Sequence, residues 1–221
     1  MRIRLLAISV TALFIVGSTV CTAQVKDAGL WLGVNVKKNL TQKFSVEFGQ
    51  ALRWNENVTE LGSTFSEIGG AYKIRPRLHI SAFYRFGQDR QLDNRYSLCH
   101  RYYADLSYKI KLKPISLTFR ERYQATYRDI NRREKGEVAR DYLRTRLALK
   151  YDLEKKYTPY LEAEAFYRVD DWITKIRFRG GMEYDFNKWS SIELFYMINK
   201  EIQVVNPWTS FITGVSYTYS F

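Results

Sequence analysis

The stretch Phe211-Ile212-Thr213-Gly214-Val215-Ser216-Tyr217-Thr218-Tyr219-Ser220-Phe221 ends the chain and decides its fold class. In an extended strand, successive side chains point to opposite faces. Phe211, Thr213, Val215, Tyr217, Tyr219 and Phe221 therefore share one face, and Ile212, Gly214, Ser216, Thr218 and Ser220 the other. An aromatic, mostly apolar face backed by a small, polar one suits a strand standing between lipid and a lumen. At the edge of a soluble sheet the same strand would invite aggregation. The expected class is all-β: a transmembrane, antiparallel, up-and-down β-barrel.

The other end of the chain reads as an export signal. Arg2 and Arg4 precede an apolar run from Leu5 to Val16, and Cys21-Thr22-Ala23 supplies small residues at a cleavage site. The run falls short of the roughly 20 residues a spanning helix needs. The predicted signal peptide covers residues 1–23, with cleavage after Ala23 and an outer-membrane barrel domain over 24–221. Acylation of Cys21 is the alternative, disfavoured by Val20 in front of it. Cleavage leaves Cys99 as the lone cysteine, which excludes a disulfide framework.

Composition agrees with a barrel rather than a helical membrane protein. Charged residues make up 26% and aromatics 16%, and no stretch after the leader is long and apolar enough for a membrane helix. The net charge of +12, with interleaved aromatics, superficially suits a nucleic-acid binder. The export signal and the scatter of the charges along strands exclude that class.

Eleven alternating segments follow the leader, at 28–37, 43–54, 64–74, 78–87, 96–110, 115–127, 140–151, 157–168, 174–186, 190–200 and 208–221. Most reach the nine to eleven residues a tilted strand needs to cross a bilayer. Short connections alternate with longer polar ones at 55–63, 88–95, 128–139, 169–173 and 201–207, the rhythm of periplasmic turns and outer loops. Single-chain bacterial barrels have even strand counts. The expected number is therefore ten to twelve, with the first segment in doubt as a wall strand or one boundary misplaced. The outward phase also fails locally: Glu121 falls on the lipid face, and Phe83 and Phe195 fall inward. Either a local bulge shifts the phase at these places or the register is misread there.

The motif series Gly29-Leu-Trp31, His100-Arg-Tyr-Tyr103, Arg120-Glu-Arg-Tyr-Gln124, Tyr142-Leu-Arg-Thr-Arg146, Pro159-Tyr-Leu-Glu-Ala-Glu164 and Arg177-Phe-Arg-Gly-Gly181 resembles a family of Gram-negative outer-membrane barrels known only as a domain of unknown function. The resemblance implies an outer-membrane location and no established activity. The terminal strand is similar to the signal read by the barrel-assembly machinery, carried here by Gly214, Tyr217, Tyr219 and Phe221. Ile212 departs from it, a polar residue being usual there.

The candidate site is a set of charges spaced two apart, hence on one strand face. Arg120/Arg122, Arg144/Arg146 and Arg177/Arg179 flank Glu162/Glu164, and Arg101, Asp105 and Glu183 share the inward phase. Facing lipid, each central Arg would cost roughly 2–4 kcal/mol, so the set is assigned to the lumen. There it is either a structural salt-bridge filling or the lining of a narrow pore. Both make the protein a non-enzymatic envelope component. The alternative is a lipid-modifying enzyme: His79-Ile80-Ser81 resembles the His-x-Ser arrangement of outer-membrane lipid A deacylases. Its position beside the short Arg75-Pro76-Arg77 turn and its inward phase argue against that role. No cofactor and no metal is expected. Expected partners are outer-membrane lipid and lipopolysaccharide and the assembly machinery. The loop 128–139, with Arg128, Arg132, Arg133 and Lys135, is read first as a solvated loop and only second as a contact to lipopolysaccharide phosphates. No nucleic-acid partner is expected.

Overall fold

The structure, a computed structural model, describes residues 25–91, 93–128, 140–153, 156–169, 172–204 and 206–221. The expected leader, its cleavage site, Cys21 and the lipopolysaccharide contacts at Arg132, Arg133 and Lys135 lie outside them.

Eleven strands form the wall: β1 (Val25–Asn39), β2 (Phe44–Asn55), β3 (Glu60–Arg75), β4 (Leu78–Arg90), β5 (Tyr96–Leu112), β6 (Ile115–Arg128), β7 (Arg140–Tyr151), β8 (Tyr157–Arg168), β9 (Ile173–Asp185), β10 (Ser190–Glu201) and β11 (Trp208–Ser220). Each pairs with its sequence neighbour, and β1 pairs with β11 to close the barrel. The expectation of an even count is corrected by that closure. Ten reversals of direction return β11 to the heading of β1, so the seam is parallel, with Leu30 opposite Thr213 and Val36 opposite Tyr219. Backbone bonds lock its lower end: the Asn39 amide donates to the Phe221 carbonyl at 2.8 Å and the Phe221 amide to Lys37 at 2.9 Å.

Side chains that terminate strands explain the short turns. Thr41 Oγ1 accepts from the Phe44 amide at 2.9 Å, and Asn187 Oδ1 accepts from Trp189 at 2.8 Å and Ser190 at 3.0 Å. Such side chains mimic backbone turns, which is why Thr and Asn recur there. At the opposite end, Glu56, Asn57 and Val58 all take left-handed backbone angles. The Asp27 carboxylate, accepting from the Asn57 amide at 2.9 Å, ties that turn to the start of β1.

The outer wall is apolar. Leu32, Val34, Phe48, Ile68, Leu106, Phe119, Leu147, Leu161, Phe178, Leu194 and Tyr217 all stand exposed on it. A band of that extent is stable against hydrocarbon and not against water. Glu121 stands on this face: β6 pairs with β5 and β7 without a bulge, correcting the shift considered above. Thr145 Oγ1 donates to its carboxylate at 3.0 Å.

Phe83 and Phe195 do face inward, and glycines on neighbouring strands make room for them. Phe83 lies opposite Gly69, and a Cβ there would meet its ring at 2.2 Å. Phe195 lies between Gly181 and Gly214, where a Cβ on Gly214 would meet the ring at 2.1 Å. The rings therefore lie flat on the wall rather than across the lumen. Phe83 stacks on Tyr103 at 5.2 Å between centroids, and Phe195 packs with Tyr160, Met197 and Ile212.

The parallel seam has a testable corollary. Val25 lies beside Trp208 at the long-loop end, whereas Phe221 lies at the short-turn end. An epitope tag inserted before Val25 should therefore be labelled on whole cells together with one in the 91–95 loop. A tag following Phe221 should be labelled only after the envelope is opened.

Candidate functional site

Inward residues of β5 to β9 converge on one carboxylate. Glu164 on β8 stands directly opposite Arg146 on β7 and Arg177 on β9, but only Arg177 of these two is a partner, and Arg120 and Arg144 are the others. Arg120 Nη2 reaches its Oε1 at 2.5 Å. Arg144 Nη2 reaches Oε2 at 2.9 Å and Oε1 at 3.0 Å. Arg177 Nη1 reaches Oε2 at 3.3 Å. Glu164 is 4% exposed, Arg144 7% and Arg120 8%, and Arg177 is half-buried, so the cluster is largely shielded from water. Charge-assisted bonds of this kind are short and strong once water is excluded.

The remaining predicted residues form satellites of that hub. Asp105 holds Arg122 through a two-pronged fork at 2.6 and 2.7 Å, with Arg120 3.9 Å away. Arg146 meets Glu162 at 3.2 Å. Arg179 turns away from Glu162, which it faces across β8 and β9, and pairs with Glu193 on β10 at 2.7 Å. Tyr160 donates to the same Glu193. Glu183 stands apart near the short-turn end, half-exposed and paired with Lys150 at 2.9 Å. Arg101 joins no carboxylate among the described residues; its Nε donates to Thr126 at 3.2 Å.

The opposite wall is lined by small residues. Gly33, Asn35, Gly49, Ala51 and Ser216 face the charges across a cavity of about 650 Å³. The lumen is thus filled on one side and hollow on the other. A second cavity of about 280 Å³ sits toward the long-loop end and shares Trp31, Arg53, Lys175, Asn199 and Glu201 with the first.

Around the lumen runs a belt that period-two reading does not reveal. Arg85 stacks over Phe65 at 3.7 Å, and Arg53 covers the other ring contacts, 4.6 Å from Phe65 and 3.7 Å from Trp31. Arg177 lies 5.7 Å from Trp31 and 5.0 Å from Phe166, which also carries Arg144 at 4.3 Å. Guanidinium and aromatic faces alternate from β4 through the seam to β7. Each contact holds a planar cation in place without requiring a carboxylate. The inward phase of Trp31, Phe65 and Phe166 was available from the sequence; their partners were not, because most contacts depend on the register between neighbouring strands and one, Arg177 to Trp31, on closure of the ring.

The four terminal-signal residues divide by face. Gly214 is buried against Phe195, while Tyr217, Tyr219 and Phe221 lie outward and exposed. Tyr219 and Phe221 contact each other at 5.7 Å.

The two histidines lie on opposite faces of the wall. His79 is inward at the short-turn end of β4, cross-strand from Ser107 and Lys73. His100 is outward on β5, its Nδ1 2.8 Å from the Tyr84 hydroxyl. Among the described residues there is no group of three or more His, Cys, Asp or Glu side chains placed to hold a metal ion.

Comparison with known proteins places this geometry. Residues 28–209 match the model of a family described as "Protein of unknown function (DUF2490)". Among solved structures, the KdgM porin in complex with disordered oligogalacturonate is similar at a TM-score of 0.51 and 15% identity, over 85% of this chain and 90% of that one. LpxR from Salmonella typhimurium is similar at 0.51 and 10% identity, over 85% and 87%. The NanC porin is similar at 0.50 and 11% identity, over 78% and 86%. At such identities the likeness is one of fold, the closed β-barrel. No curated protein matches the sequence.

Proposed function

The chain belongs to the DUF2490 family, and for this member we propose a narrow, anion-preferring conduit through the outer membrane, without catalytic activity. The observation that carries the reading is the asymmetric lumen: a cavity of about 650 Å³ between an arginine-rich wall and a wall of Gly33, Gly49, Ala51 and Ser216. A purely structural filling has no reason to keep one wall small. Rings of fixed cations favour anions in a pore, and Arg53, Arg101 and Lys175 add charge that the acids of the network do not neutralise. The apolar outer band supports the membrane location. The KdgM structure holds an oligogalacturonate, a polyanion; for this chain the anion reading rests on its own arginines. The absence of catalysis is supported by the separation of His79 from His100 and by the inward, turn-proximal position of His79.

Purified protein in planar bilayers is expected to show a small, steady conductance. A large open conductance would overturn the narrow lumen. Complete electrical silence would replace the conduit with the structural filling.

A further inference from the structure

Most lumenal cations have an acid. Arg85 has Glu67 at 2.6 Å, Arg122 has Asp105, Arg146 has Glu162, and three arginines share Glu164. Arg53, Arg101 and Lys175 have no carboxylate within ion-pair distance among the described residues. All three line the main cavity. Arg53 is the most exceptional. The positive charges of Arg85, Arg101 and Arg177 all bear on it, and Asp89, whose negative charge opposes them, forms no ion pair with it among the described residues. Its Nε is buried and makes no hydrogen bond. Leaving a cation uncompensated inside a protein is costly, and stacking on Trp31 and Phe65 offsets only part of that cost.

We propose that Arg53, Arg101 and Lys175 form a fixed binding site for an oxyanion, the carboxylate of a sugar acid or a phosphate group, at the entrance to the lumen. The proposal deepens the conduit reading by naming the solute chemistry and the residues that select it. Position supports it: Trp31, Arg53 and Lys175 line both cavities, so a solute entering from the long-loop end passes between them. Stacking also fixes the plane of Arg53. Its remaining N–H edge is then presented as a rigid fork, the geometry that reads carboxylate and phosphate oxygens. The oxyanion supplies the ion-pair partner that these three cations lack, Glu201 on the same walls standing beyond ion-pair distance of Lys175, and water at the cavity mouth permits its release.

The test is titration calorimetry on the intact barrel in detergent, using inorganic phosphate, glucuronate and neutral glucose. Phosphate, glucuronate or both should bind and glucose should not; the pattern between the first two identifies which oxyanion the site accepts. Arg53→Gln and, separately, Arg101→Gln should each weaken binding about tenfold or more, the scale of a lost charged hydrogen bond. Arg95→Gln, on an exposed loop, should leave binding unchanged. Arg53→Lys separates fork from charge: it keeps the cation, loses the planar edge, and should bind more weakly than wild type. Unaltered heat-modifiable migration on gels establishes that each variant is folded. Equal binding of glucuronate and glucose, absence of binding by either anion, or wild-type affinity in both Gln variants would overturn the site. Because binding is read without conduction, anion-selective current without binding refutes the site alone, and binding without current refutes the conduit alone.

Discussion

Glu164→Gln is expected to lower the melting temperature in detergent more than any other single conservative change in the lumen. The substitution keeps the shape of the side chain and removes the charge that Arg120, Arg144 and Arg177 share. Arg120 and Arg144 then stay buried, and Arg177 half-buried, without their common anion. Breaking a buried ion pair by removing one partner typically costs about 3–5 kcal/mol, which corresponds to roughly 6–20 °C for a chain of this size. Glu162→Gln should cost less, because its partner Arg146 is 25% exposed in its side chain and keeps water contact. Arg95→Gln, removing a pair whose arginine side chain is 75% exposed, should shift stability by no more than about 1 kcal/mol. Thermal scans of the three variants, read by loss of β-sheet circular dichroism, check the order. Equal melting temperatures for wild type and Glu164→Gln would remove the hub from the account.

Gly214→Ala and Gly69→Ala should both destabilise, and a second substitution should rescue only one of them. On Gly214 the atoms an added Cβ would meet belong to the Phe195 ring, at 2.1, 2.5 and 2.6 Å. On Gly69 they include the Phe83 ring and also the Ala82 carbonyl oxygen at 2.5 Å. Overpacking a filled site costs about 1–3 kcal/mol. Phe195→Leu removes the obstacle above Gly214, so the pair should be less destabilised than the sum of its parts, by about 1 kcal/mol or more. Phe83→Leu leaves the carbonyl in place, and Gly69→Ala should remain close to additive with it. Denaturant unfolding of both double-mutant cycles decides the matter. Additivity at Gly214 and Phe195 would show that the ring does not lie on the glycine.

These two sites also mark where sequence reading succeeds and where it stops. A strand's period of two places Glu162, Glu164 and the paired arginines on one face, because that alternation needs no knowledge of neighbouring strands. The strands themselves were legible for the same reason, to within a few residues at most ends. Cross-strand register was not. Glu162 stands opposite Ala148 and Glu164 opposite Arg146, an offset invisible in the alternation. Register alone does not settle the ion pairs either: Arg179 stands opposite Glu162 yet pairs with Glu193. Inward Phe83 and Phe195 looked like errors of phase for a related reason: the glycines that accommodate them lie on other strands. The odd strand count looked like an error because neighbour-to-neighbour pairing is antiparallel throughout, and only closure of the ring forces one parallel pair. The belt from Arg85 to Arg144 is completed only in the closed ring, since Trp31 and Arg53 are neighbours across β1 and β2 but Arg177 reaches Trp31 only once β1 joins β11.

The central claim is that the hollow side of the lumen is a path whose fixed cations set its preference. It is tested most directly by the reversal potential of the wild-type channel in a planar bilayer under a potassium chloride gradient. The account predicts a potential of the sign set by chloride movement, diminished when Arg53 and Arg101 are both replaced by Gln. A zero potential, or one of the sign set by potassium, would contradict it.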